Sequence, residues 1–120
     1  MAMTLFLASR RQNDWIVTEV RGILDSESVP ELRDGVISMI GEKAHPLHVI
    51  ADLSELSYCD VDGLSALAAI RTLLHDGGGE LRLVCPEGRV LRILRISGLA
   101  HALPVHPTLD AAVRSAGKAG

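Results

Sequence analysis

Residues 47–74 read LHVIADLSELSYCDVDGLSALAAIRTLL, and the fold follows from how this stretch changes character along its length. Leu47, Val49 and Ile50 open it with the apolar, branched run of a buried strand. Ser54-Glu55-Leu56-Ser57-Tyr58-Cys59 then reads as a polar turn. A helix is expected from Asp60 onward. Asp60 is a good cap, Asp62 a favourable anion in the first turn, and 64–74 carries the apolar residues. A strand running directly into a helix start is where many α/β proteins place their site. Function is expected at this junction.

Outward from it, 120 residues make one domain, large enough to bury a core. Its aromatic residues are Phe6, Trp15 and Tyr58 alone, so that core must be built from Leu, Ile, Val and Ala. Twelve Lys and Arg against fifteen Asp and Glu give a formal charge of −3, which offers nucleic acid no overall attraction. No apolar run approaches the roughly 20 residues needed to span a bilayer. The N-terminal apolar patch lacks the basic lead of a signal peptide, so no membrane association and a cytoplasmic location are expected. Cys59 and Cys85 form no disulfide framework.

On the N-terminal side, 4–9 and 15–20 read as strands of a hairpin around the polar turn 10–14. Residues 21–25 carry the chain to a first helix, with Ser26 or Ser28 as cap and Pro30 near its first turn. Leu32, Val36, Met39 and Ile40 mark its inner face, and Gly41 its end. On the C-terminal side, Gly77-Gly78-Gly79 stops the central helix. Leu81, Leu83 and Val84 form a strand ended by Cys85-Pro86. A helix over 87–96 follows, with Val90, Leu91, Leu94 and Ile96 inward and Gly98 as terminator. An edge strand over 102–105 and a helix capped by Thr108, holding Leu109, Ala112 and Val113, complete the chain. The tail 116–120 is expected to be disordered. The fold class is therefore α/β: a mixed, mostly parallel sheet in the order ββαβαβαβα, with about four helices on it.

DLSELSYCDVDGLSAL resembles the signature of STAS domains, the family of bacterial anti-sigma factor antagonists, which typically reads D-L-S-x-V-x-F-x-D-S-S-G-L-x-x-L. Gly22-Ile23-Leu24-Asp25 is similar to the family's G-x-L-D. Val90 to Leu94, Ser97-Gly98-Leu99, Leu103-Pro104-Val105 and Leu109 to Ala112 resemble its C-terminal third. The resemblance covers nearly the whole 1–120 chain. It implies a STAS-like single domain that is not an enzyme and needs no cofactor or metal. It also implies partner switching: the antagonist binds an anti-sigma factor, usually a serine kinase of the histidine-kinase-like ATPase type, and so releases a sigma factor. Phosphorylation of the antagonist ends the interaction. In the family the phosphoacceptor directly follows the aspartate that aligns with Asp60. Here that position is Val61, which has no hydroxyl, and the next is Asp62.

The partner-binding residues expected from the motif are Asp25, Ser57, Asp60, Val61, Asp62, Gly63, Leu64 and Ser65. Either Val61 leaves a constitutive binder, or Asp62 imitates the modified state; Ser54, Ser57 or Ser65 are alternative acceptors. For Asp60 and Asp62 plain capping is the simpler role; Gly63 either lets a partner's backbone come close or makes a tight contact with the protein's own strand. The apolar surplus around 61–70 points either to a second protein or another copy of the chain, or to alanines as good helix formers. Cys59 and Cys85 read as half-buried thiols, close together if their strands are neighbours. Two other readings stay open: an adaptor docking on a transporter or signalling scaffold, and a small hydrolase or phosphotransferase using Asp60, Asp62 and Ser65. The histidines, His45, His48, His75, His101 and His106, match no zinc spacing.

Overall fold

The computed structural model describes residues 5–42 and 46–114. Thr4, His45 and the tail 116–120 lie outside the described residues, and so does the side chain of Ile40. Chain order is β1 (Leu5–Gln12), β2 (Trp15–Leu24), α1 (Val29–Glu42), β3 (His48–Asp52), β4 (Leu56–Cys59), α2 (Val61–Asp76), β5 (Glu80–Val84), α3 (Arg89–Ser97), a 3-10 turn (Leu99–His101), β6 (Val105–His106) and α4 (Leu109–Arg114). The α/β class holds, with one more strand than the sequence pattern suggests.

All six strands join one sheet, in the order β1-β2-β3-β5-β6, with β4 pairing β2 off that path. β1 and β2 are antiparallel and every other pairing is parallel. The hairpin is tighter than a five-residue turn, because Gln12 pairs with Trp15 and only Asn13 and Asp14 lie between. Asn13 takes the left-handed φ of 57° that such a turn demands.

β2 is the organising strand. Its first half, from Ile16 to Glu19, pairs with β3, and its second, from Gly22 to Leu24, with β4. The register slips at Gly22/Ile23, where Gly22 has φ 100°, a bulge that a side chain would resist. Two expectations fail here: 21–24 is strand and not connection, and 56–59 is strand and not turn. The missing strand is short, and its pairing energy comes from a partner far away in the chain.

Helices α1, α2 and α3 cover one face of the sheet over a core that includes Val20, Leu24, Val49, Leu64, Leu67, Leu81, Leu83 and Leu94. On the other face Val17, Ile50 and Val84 pack under Ala112 of α4. There Arg82, only 4% exposed, sets its guanidinium carbon over the Trp15 ring, 4.4 Å from the centroid, and donates to the Ala112 carbonyl at 2.6 Å and to Glu80 at 2.9 Å. Trp15 in turn meets His48 edge-on at 5.7 Å.

Smaller corrections follow from packing. Gly41 does not end α1, which runs on to Glu42. Ile96 is 78% exposed, because the inward stripe of α3 is complete with Val90, Leu91 and Leu94. The edge strand over 102–105 shrinks to Val105–His106. Thr108 caps α4 as expected, its hydroxyl accepting from the Ala111 N–H at 3.0 Å.

Candidate functional site

Leu24 of β2 lies opposite Cys59 of β4, so the residues that follow them, Asp25 and Asp60, emerge from neighbouring strand ends. The Asp60 N–H donates to the Leu24 carbonyl at 3.2 Å, tying the start of α2 to the end of β2. Asp60 is the N-cap: its backbone is extended (φ −103°, ψ −176°) and its carboxylate accepts from the Gly63 N–H at 2.9 Å. Asp60 is thus engaged in capping, a role worth about 0.5–2 kcal/mol.

Asp25 has a similar task. Its carboxylate accepts from the N–H groups of Glu27 at 3.0 Å and Ser28 at 3.2 Å. Buried Ser28 donates its hydroxyl to the Ile23 carbonyl at 2.8 Å and accepts from the Asp25 N–H at 3.0 Å. The turn between β2 and α1 is locked by these bonds, with Ser28 bracing it from below instead of capping α1 directly. Half-buried Asp25 still shows one side at the surface.

Beyond the cap, the expected residues divide. Ser57, Val61, Asp62 and Ser65 are exposed, Val61 by 58%. Gly63 and Leu64 are not. Leu64 is fully buried and begins the stripe Leu64, Leu67, Ile70 and Leu74 that α2 lays on the sheet. Gly63 is pressed against its own strand: a β-carbon there would stand 2.6 Å from the Leu24 carbonyl oxygen and 3.0 Å from the Cys59 sulfur. Both residues shape the surface from beneath and offer a visitor nothing. Tyr58, 43% exposed, adds an aromatic ring to β4 that motif reasoning passed over. Ser57 and Tyr58 both face outward, so no simple alternation marks them.

The apolar surplus of α2 is largely used up inside. Ala66 and Ala68 lean on the core, leaving Ala69 and Leu73 outward. Both thiols are fully buried, deeper than expected, and free. Burial, with Asp60 and Cys85 adding to it, pushes Cys59 up to about 12; burial pushes Cys85 up to about 11. Their strands are not neighbours, since β4 pairs with β2 and β5 with β3 and β6. Among the described residues no group of three or more His, Cys, Asp or Glu is placed to hold a metal ion. No described helix is long and apolar enough to cross a membrane.

The arrangement is therefore a helix mouth with a spent cap, an exposed valine and carboxylate, a tyrosine and two serines around it. It has the makings of a contact surface. The STAS domain family model matches residues 7–112. An anti-sigma-B factor antagonist of Staphylococcus epidermidis is 29% identical over 104 residues, covering 87% of this chain and 94% of the relative. An anti-sigma-F factor antagonist of Mycobacterium tuberculosis is 26% identical over 98 residues, covering 82% and 77%. Among solved structures, an anti-sigma factor antagonist from Mycobacterium paratuberculosis superposes with a TM-score of 0.80 at 24% identity, covering 92% of each chain.

Proposed function

The chain belongs to the STAS-domain family, and from that premise we propose that it is an anti-sigma factor antagonist acting through the mouth of α2. The observation that carries this reading is the exposure of Val61 and Asp62 directly after a cap whose own carboxylate is engaged by the Gly63 N–H. The cap ties that carboxylate to its own backbone, a structural task that accounts for Asp60 without any catalytic one. The names of the curated relatives support an anti-sigma factor as the partner; the cytoplasm is the expected place of the encounter. The contact surface consists of Asp25, Ser57, Asp60, Val61, Asp62 and Ser65, with Tyr58 beside them.

The partner is a serine kinase of the histidine-kinase-like ATPase type, and the chain is its constitutive ligand. A phosphate at position 61 would bring about −1.5 to −2 charge and three acceptor oxygens. Val61 can accept no phosphate, and Asp62 supplies only one charge, one residue further on. Binding thus persists where a serine-bearing relative would be released.

The test is titration of the chain against such a kinase with magnesium and ATP, followed by mass spectrometry. The wild type should bind and stay unmodified. Val61→Ser should gain a phosphate and then lose about tenfold or more in affinity, the cost of roughly one new like-charge contact. A Val61→Ser chain that binds an active kinase and remains unmodified would overturn the account of position 61. Absence of binding by either chain would overturn the antagonist reading itself.

A further inference from the structure

Helix α3 carries a surface that the α2 mouth does not use. Val90, Leu91 and Leu94 face the core. At about 100° per residue, the direction opposite them falls on Ile96, with Arg92 on one flank and Arg89 on the other. Ile96 is the most exposed large apolar side chain among the described residues, and all three arginines of the helix are exposed. Arg95 is tethered to Glu87 at 3.1 Å. Arg89 and Arg92 have no carboxylate within ion-pair range among the described residues. A chain of formal charge −3 thus presents one helix face that is basic around an apolar centre.

We infer that the outer face of α3 is a second docking surface, which takes an acidic segment of a protein partner. Carboxylates of that segment lie on Arg89 and Arg92, whose planar forks suit them, and an apolar side chain covers Ile96. Charge complementarity selects the occupant. A lipid surface fits less well, because the apolar stripe of α3 is already spent on the core and one isoleucine is left to insert. The inference does not depend on the kinase reading, since it uses none of the residues of the α2 mouth.

The probe is a short peptide of glutamates around one central leucine, titrated into the full isotope-labelled chain and followed by NMR. Amide shifts should concentrate on α3. Arg89→Glu with Arg92→Glu should weaken binding by about tenfold or more, with melting temperature unchanged because both side chains are exposed. Ile96→Ser keeps the charge and should weaken it by about fivefold through the lost apolar contact. Val61→Ser and Asp62→Ser should leave it unaltered. Shifts spread over the surface, or indifference to the arginine pair or to Ile96→Ser, would overturn the inference. So would arginine-dependent sedimentation with phosphatidylglycerol vesicles in place of peptide binding, or self-association abolished by the double variant, which give the face to a membrane or a second copy.

Discussion

Gly63→Ala should lower stability, although in most helices the same change raises it. Replacing glycine by alanine inside a helix gains about 1 kcal/mol from backbone entropy and propensity. Against that stands the space at position 63. A β-carbon would lie 2.6 Å from the Leu24 carbonyl oxygen, 2.8 Å from Leu24 Cγ and 3.0 Å from Cys59 Sγ. None of these is a loose end. The carbonyl accepts from the Asp60 N–H, Leu24 and Cys59 face each other across the β2–β4 pairing, and both side chains are fully buried. Relief requires moving α2 off the strand, and overpacking of this kind costs about 1–3 kcal/mol or more. With backbone atoms involved, the upper end applies, for a net loss of about 2 kcal/mol. For a domain of this size that corresponds to a fall of about 8 °C in melting temperature. Circular dichroism melts and urea titrations would measure it, the urea midpoint shifting at constant slope. Gly35→Ala is the internal control. In α1 a β-carbon there meets only Leu7 Cδ1, at 2.9 Å, the far end of a side chain that can turn aside. That variant should change stability little or raise it. Equal melting temperatures for Gly63→Ala and wild type would refute the reasoning.

Arg82→Met should cost about 1–3 kcal/mol by leaving the Ala112 carbonyl without its charged donor. Faster hydrogen exchange across α4 and a shift in Trp15 emission would report it. Stability should also fall as pH rises from about 9 to 11. The unfolded chain releases its thiol protons near 9.0, whereas in the folded chain burial raises Cys59 to about 12 and Cys85 to about 11. Over that window the unfolded state binds fewer protons, so alkali draws the equilibrium toward it, while below pH 9 these thiols contribute no slope. Urea midpoints at a series of pH values would show the decline, and Cys85→Ala should flatten it in part.

Local chemistry made much of this fold legible. Asp60 and Thr108 announce their helices because a side-chain oxygen three residues before a free N–H is a short-range device, and both caps form. The stripe Leu64, Leu67, Ile70 and Leu74 is equally local. What escaped is what depends on distant partners. β4 has four residues with no alternation, and only the second half of β2, more than thirty residues earlier, makes it a strand. Gly22 looks like a loop residue until the bulge it permits is seen to hand β2 from one neighbour to the next. Ile96 looked like core because its neighbours at helical spacing are core, yet it points the other way. In the site itself, the motif located Val61 and Asp62 on the outside but could not separate them from Gly63 and Leu64, whose burial is decided by how closely α2 presses on Leu24.

The hand-over along β2 has a bearing on what the protein can grasp. β3 stops opposite Glu19, whereas β4 runs on to a point opposite Leu24, roughly 16 Å further at the usual rise of a strand. The α2 mouth accordingly rides on a promontory ahead of the rim where β3 and β5 end, rather than in a crevice between strands. A protein with a dished surface would find a knob already shaped to seat in it.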